Sequence, residues 1–271
     1  AKIGISNLLV AEADESDGSL INFKPSLGVI TNLELEHPDH YGSLEDLIIT
    51  MKNYASNSKK LLLNLDCKNL RKNFKAKFWW SIEKISKANF TAIPISLESD
   101  RTIANYYENG KFISKIIIPI PGLHNLSNTL AGIATCRIQG LSFKKIQSKL
   151  HLIQSPSRRF EFKGIWRNCK VIDDYAHHPT EIDASMNIAK TLIKKRLVVV
   201  FQAHRYSRVN RFLKDFAKSL QYADILILAP IYSAGENPIR NANNNSIKNE
   251  IEKLNPKLDI SITNNLKEIV N

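Results

Sequence analysis

The sequence predicts an α/β protein in two parts, and three observations carry the prediction. Short apolar runs of buried-strand type alternate with segments of helical periodicity. The alternation becomes a regular strand–helix repeat beyond Ser155-Pro156-Ser157, which argues for a parallel sheet covered on both faces. The apolar runs also empty into loops rich in carboxylates, imidazoles and guanidinium groups. Open α/β sheets bind ligands beyond the carboxyl ends of their strands, so these loops are where a small-molecule site is expected. The boundary is placed near residue 155, dividing 1–155 from 156–271.

In the first part, Leu8-Leu9-Val10-Ala11, Leu27-Gly28-Val29-Ile30 and Leu61-Leu62-Leu63 read as buried strands. The first two lead into Glu12-Ala13-Asp14-Glu15-Ser16-Asp17 and Thr31-Asn32-Leu33-Glu34-Leu35-Glu36-His37, which the topology could gather at one mouth. Thr102 to Tyr107 and Phe112 to Ile120 flank Asn109-Gly110, a pair that accepts the positive φ of a tight turn, and read as a hairpin. Pro121-Gly122 breaks the chain. Leu126, Leu130, Ile133, Ala134 and Ile138 then recur at helical spacing over 125–138, with Gly140 as terminator and a shorter helix over Phe143 to Leu150.

In the second part the expected strands are Lys170 to Asp173, Leu197 to Gln202, Asp224 to Ile231 and Leu258 to Ile262, with helices starting near Pro179, Val209 and Ser246. Pro179-Thr180-Glu181 is a favourable helix start, because proline suits the first helical position and an early acid complements the helix dipole. The first three strands end in Asp173-Asp174-Tyr175-Ala176-His177-His178, in Gln202-Ala203-His204-Arg205-Tyr206-Ser207-Arg208 and in Tyr232-Ser233-Ala234-Gly235-Glu236.

Composition excludes several classes. With 271 residues, 43% hydrophobic and 24% charged, the chain can bury an ordinary core and is not of disordered type. Cys67, Cys136 and Cys169 are widely spaced and odd in number, which suggests neither a disulfide framework nor a thiolate zinc site and fits a reducing cytoplasm. The longest apolar runs fall short of the ~20 residues of a spanning helix, so no membrane partner is expected, and no secretory leader opens the chain. The net charge of +12 comes from scattered lysines rather than a basic stripe, so no nucleic-acid partner is expected either. A polyanionic metabolite would suit the same field. His177 and His178 are adjacent and lack the i, i+4 spacing of a helical zinc pair.

Together the loops carry a resemblance. Glu12 to Asp17, Thr31-Asn32 with His37, Pro121-Gly122-Leu123-His124-Asn125 with Asn128, Arg158-Arg159-Phe160-Glu161, Asp173 to Glu181, Phe201 to Arg208 and Tyr232 to Glu236 resemble the Mur ligases, in family order. The departures are Ala176 in place of a usual glycine, Ala203 in place of a usual proline, and Glu36-His37-Pro38 where Asp-His-Met is common. An alanine at 176 is unfavourable if the position needs positive φ.

The resemblance implies a central ATP-binding domain over 1–155 followed by a Rossmann-like, amino-acid-binding domain over 156–271. It implies an ATP-dependent acid–amino-acid ligase of peptidoglycan precursor synthesis, with UDP-N-acetylmuramate and L-alanine as substrates. The muramoyl carboxylate is phosphorylated, the alanine amine attacks the acyl phosphate, and phosphate leaves. ATP and Mg2+ are the implied cofactors, with Glu12 and His37 as metal ligands; on the residues alone, the favoured reading of Glu12 is a solvated strand-end carboxylate and that of His37 a turn residue. His124, Asn125 and Asn128 are assigned to the nucleotide, although Asn125 could instead cap its helix. Arg159 and Asp174 are placed near phosphate and ribose. Arg205 and Arg208 are expected to meet the alanine carboxylate, and Tyr175 and His177 to frame its amine. The proton acceptor and the oligomeric state are left open.

The phosphate-cradling Gly-x-x-x-x-Gly-Lys-Thr loop of such ligases has no counterpart here, since Gly110-Lys111 is the only Gly-Lys pair. The chain also opens on Ala1 and ends where another helix and strand would be expected. The expectation is an internal piece of the enzyme that makes no amide bond by itself. Two other functions remain in view: a ligase that joins a tripeptide to UDP-N-acetylmuramate, and a non-catalytic nucleotide or nucleic-acid binding module.

Overall fold

The computed structural model describes residues 4–38, 40–85, 87–193 and 195–269. Among these, the first lobe holds a six-stranded sheet whose strands neighbour one another in chain order: β1 (Gly28–Ile30), β2 (Leu61–Asn64), β3 (Phe78–Ser81), β4 (Phe90–Leu97), β5 (Thr102–Glu108) and β6 (Lys111–Ile118). The pairs from β1 to β4 are parallel and those from β4 to β6 antiparallel. Side chains alternate between two covered faces. Leu61 and Leu63 join Ile30 beneath α1 (Leu44–Asn57) and α2 (Lys68–Asn73). Leu62, Trp80, Ala104 and Ile116 pack beneath α3 (Leu123–Ile138) and α4 (Phe143–Gln147).

The β5–β6 hairpin turns where expected, with Asn109 and Gly110 at φ 48° and 79°. Helix α3 starts two residues before the expected position and is followed by Gly140 at φ 89°. Helix α1 was not foreseen, although its signals are ordinary. The Ser43 hydroxyl accepts from the Asp46 amide at 3.2 Å, and Leu47, Ile48, Met51 and Tyr54 form its buried stripe.

The expected strand at Leu8-Leu9-Val10-Ala11 is not formed. These residues belong to no strand, and Leu9 and Val10 are 90% and 91% exposed. Strand character needs a ladder partner and a face to bury, and β1 is paired only with β2. The apolar run alone could not supply either.

The second lobe is a three-stranded parallel sheet in the order β11 (Asp259–Ile262), β10 (Ile225–Tyr232), β9 (Val198–His204). Helices α5 (Pro179–Leu192), α6 (Tyr206–Leu220) and α7 (Asn244–Leu254) share one core with it, built on Phe201, Leu226, Leu228, Phe216, Leu220, Ile247 and Ile251. The expectation of two covered faces is corrected here. Val198 and Val200, on the opposite face, are each 50% exposed, so among the described residues the helices cover one side only.

A second correction concerns the expected strand at Lys170 to Asp173. It forms, as β8 (Cys169–Asp173), but pairs antiparallel with the unforeseen β7 (Glu161–Trp166) in a separate ribbon. Arg167 and Asn168, at φ 46° and 64°, make a tight turn that returns the chain onto β7.

Candidate active site

Two helix starts in the second lobe and one strand end in the first meet at a junction between the lobes. Helix α5 is capped by His178, whose ring accepts from the Thr180 amide at 3.4 Å. Glu181 returns the favour, its Oε2 accepting from the amides of His177 at 3.0 Å and His178 at 3.3 Å. Its Oε1 accepts from Arg159 Nη1 at 3.0 Å. Burial opposes ionisation of Glu181, but the His177 amide, the His177 ring and Arg159 together hold its carboxyl below the ordinary range. Proline at the first helical position and an acid in the first turn are as the sequence predicts.

The residues before this helix form a row of rings with those after β9 and at the end of β10. Tyr175 meets His177 edge-on at 5.0 Å, His177 lies 5.7 Å from His204, and His204 lies 5.3 Å from Tyr232. Arg205, at φ 69°, starts α6; its amide donates to the Tyr232 carbonyl at 2.8 Å and its Nη1 sits 3.5 Å from Glu236. Glu236 in turn accepts from the Ser207 amide at 2.9 Å and the Ser207 hydroxyl at 2.6 Å. Tyr175, His177 and Arg205, three residues assigned to the amino acid, are therefore brought together. Ala176 is not among the positive-φ residues and donates its amide to Asp174 at 2.9 Å, so alanine brings no strain there.

Hydrogen bonding separates the two histidines. The Tyr175 carbonyl only accepts, so the 2.8 Å contact from His177 Nδ1 requires a proton on Nδ1, and in the neutral ring Nε2 is then the bare nitrogen. Around His204 the order is reversed. Arg208 Nη1 donates to Nδ1 at 2.9 Å, which puts the ring proton of the neutral form on Nε2. Burial, then Arg208, His177 and Arg205, depress the pKa of His204. His177 is the ring that offers a lone pair.

Arg208 is placed otherwise than expected. It is 2% exposed, and its Nε donates to Glu36 Oε1 at 2.9 Å while Nη2 makes a shorter contact with the same oxygen. With Nη1 on His204, its guanidinium is committed within the protein rather than open to a substrate carboxylate.

The nucleotide candidates divide. His124 senses Asp174 and Arg159: desolvation first, opposed by Asp174 and reinforced by Arg159, lowers its pKa although part of its ring stays exposed. These three lie together. Asp174 also accepts from the Ser185 hydroxyl at 2.5 Å. Asn125 is no helix cap, because Gly122 holds that position and the Asn125 amide donates to the Pro121 carbonyl at 2.7 Å. Asn128 is exposed on the same helix. Gly122, at φ 101°, holds a backbone conformation that residues with a Cβ rarely adopt, at the turn into α3.

The metal candidates are not assembled into a nest. Glu12 is exposed on the extended segment before β1, and His37, at φ 52°, directs Nε2 to Glu15 at 3.8 Å. Among the described residues no three His, Cys, Asp or Glu side chains converge as a cation site. Mg2+ commonly takes one or two protein ligands and completes its shell with phosphate and water, so Glu12 and His37 remain its candidate contacts. Nor is any described helix long and apolar enough to cross a membrane.

The sequence reading gave no role to Glu34, Glu36, Thr180 or Glu236. A signal existed for the first two: Leu33 is buried and Leu35 half-buried, so the alternating Glu34 and Glu36 share the other side of the segment.

Comparison with known proteins matches two stretches of the chain to family descriptions. Residues 6–136 match the Mur ligase middle domain, and residues 158–271 match the Mur ligase, glutamate ligase domain. The chain belongs to the Mur ligase family. This Mur ligase is 48% identical over 277 aligned residues to a UDP-N-acetylmuramate–L-alanine ligase of Prochlorococcus marinus (strain MIT 9313), covering 98% of the chain and 57% of that relative. It is 44% identical to the corresponding ligase of Synechococcus sp. (strain CC9605), covering 98% of the chain and 59% of that relative. The chain thus spans between half and two thirds of these relatives' length. Among solved structures, the UDP-N-acetylmuramate–alanine ligase of Thermotoga maritima superposes with a TM-score of 0.74 at 26% identity, over 94% of this chain and 55% of that one. A MurF of Acinetobacter baumannii superposes with a TM-score of 0.72 at 14% identity, over 94% of this chain and 54% of that one, and shares the fold alone.

Proposed function

We propose that this Mur ligase supplies the ATP-facing and amino-acid-facing lobes, divided near residue 155, of an enzyme that joins L-alanine to UDP-N-acetylmuramate. The observation that supports this most is the meeting of Tyr175, His177 and Arg205 at adjoining helix starts, beside the Glu34–Glu36 strand end of the other lobe.

In this reading ATP phosphorylates the muramoyl carboxylate and ADP departs. The alanine nitrogen then attacks the acyl carbon, and the carbon–oxygen bond to phosphate breaks. Attack needs the neutral amine, and His177 Nε2 is the acceptor the hydrogen bonding leaves for its proton. Arg205 takes the alanine carboxylate, held for it by Glu236 and by the hydrogen bond from its backbone amide to the Tyr232 carbonyl. Arg159 and Asp174, with His124 beside them, face phosphate and ribose; Asn125 and Asn128 extend that surface along α3. Arg208 is moved out of the amino-acid pocket. Glu12 and His37 stand as contacts for a Mg2+ ion on the family resemblance alone, and no step is routed through it. A reducing cytoplasm is the proposed setting.

The test is a chimera that adds the remaining length of the 48%-identical Prochlorococcus relative. With ATP and UDP-N-acetylmuramate it should release phosphate on addition of L-alanine. Release with a free tripeptide and not with L-alanine would replace this reading by the tripeptide ligase. No nucleotide binding, with DNA binding that survives moderate salt, would replace it by a nucleic-acid module.

A further inference from the structure

The strand end after β1 reaches across the lobe junction at three points. Glu36 pairs with the buried Arg208 from the first turn of α6. Glu34 Oε2 accepts from the Thr180 hydroxyl, in the first turn of α5, at 2.5 Å. Between them lies His178, with Nδ1 3.8 Å from Glu34 and Nε2 3.8 Å from Glu36. That Nε2 is buried and makes no hydrogen bond, so it can pair with Glu36 after a small shift. The contacts span 146 and 172 positions of sequence, so they are not local caps or turns. A buried guanidinium also strongly favours keeping its carboxylate, because separating them leaves a desolvated charge.

We propose that the Glu34–Glu36 segment is a clasp that sets the two helix starts against the first lobe, with Glu36 a positioning residue acting through Arg208. Arg205, the residue that caps α6, lies three positions before Arg208, and the turn into α5 carries Tyr175 and His177. One short segment therefore fixes the relative placement of groups that lie on different loops of the second lobe. His37 follows Glu36 directly, so the same segment ties those groups to the mouth of the first lobe. Calling these groups amino-acid contacts rests on the function proposed above; the clasp itself does not.

The experiment reads the distance between lobes without substrate. Spin labels go on Lys52→Cys in α1 and Asn249→Cys in α7, both exposed, in a background where Cys67, Cys136 and Cys169 are serine. The parent should give one narrow distance distribution. Glu36→Gln and Arg208→Gln should each lose that single peak and spread to longer distances, and the swapped pair Glu36→Arg with Arg208→Glu should recover it. If Arg208→Gln fails to fold, Glu36→Gln decides, since it lies on a loop outside the second lobe. A Glu36→Gln distribution as narrow as the parent's overturns the clasp. So does a swapped pair as broad as the single variants, because the effect would then follow lost packing rather than charge pairing. Either result leaves the substrate assignment standing, which the chimera tests separately.

Discussion

Glu181→Ala removes the acceptor of two backbone amides at the start of α5 and of Arg159 in one step. Loss of a reciprocal cap costs about 0.5–2 kcal/mol, and loss of a negative charge at a helix start about 0.3–1 kcal/mol. The Arg159 pair, 48% and 33% exposed, adds only a few tenths. The sum is about 1–3 kcal/mol at neutral pH. Glu181→Gln keeps an oxygen for the amides and loses the charge, so about 0.5–1 kcal/mol is expected. The sign with pH follows from the depressed folded pKa of Glu181. An unfolded glutamate titrates near 4.3, so the contribution is complete above about pH 5 and fades as pH falls through the lower folded value. Urea unfolding followed by far-ultraviolet dichroism should show a gap between Glu181→Ala and parent that is widest above about pH 5 and narrows at lower pH, as the charge-dependent part is lost while the protonated carboxyl keeps an oxygen for the amides. A gap that widens on acidification would refute the capping and charge reasoning.

In the chimera, Arg205→Ala should raise the KM for L-alanine by about 10–100-fold, the worth of one charge-assisted contact, His177→Ala should lower kcat by about 100-fold or more as a lost proton acceptor, and both should leave ATP affinity within about twofold; equal losses for both ligands would move these residues out of the amino-acid pocket. The present polypeptide alone should release no phosphate with ATP, UDP-N-acetylmuramate and L-alanine, and measurable turnover by phosphate assay would contradict that. His204 has a folded pKa below its unfolded value, so the unfolded chain takes up the proton first and acidification from pH 7 toward 5 destabilises the parent. His204→Gln should flatten that decline in a pH series of unfolding midpoints, and parallel curves would be the contrary result. Leu226→Ala, at a fully buried site in the second core, should cost about 2–5 kcal/mol by denaturant unfolding, and a cost below about 1 kcal/mol would mean the site collapses around the loss.

The elements legible in the sequence are those whose signals are local. Asn109-Gly110 dictates a hairpin turn, Pro179 with Glu181 dictates a helix start, and the spacing of Leu126, Leu130 and Ile133 dictates α3. Leu8 to Ala11 shows the opposite case, an apolar run whose strand state depends on neighbours rather than on its own residues. The run at Lys170 to Asp173 is a strand by composition, but its partner was decided by the Arg167-Asn168 turn, where two non-glycine residues take positive φ without an obvious motif. The site divides in the same way. Tyr175, His177 and Arg205 sit where strand ends and helix starts place them. The burial of Arg208 depends on Glu36, 172 positions away, and no local pattern announces such a partner. Glu34 and Glu36 were readable as a pair on one side of the chain, but not as a pair with a counterpart.

That separation of 172 positions also bears on how the molecule assembles. Each core closes among residues of its own half of the chain, whereas joining Glu36 to Arg208 means closing a very long loop, for which the entropic toll precedes any reward. Docking of the halves should therefore be the last event in refolding. Substitutions at Glu36 should hasten undocking while leaving the rate at which either half condenses untouched.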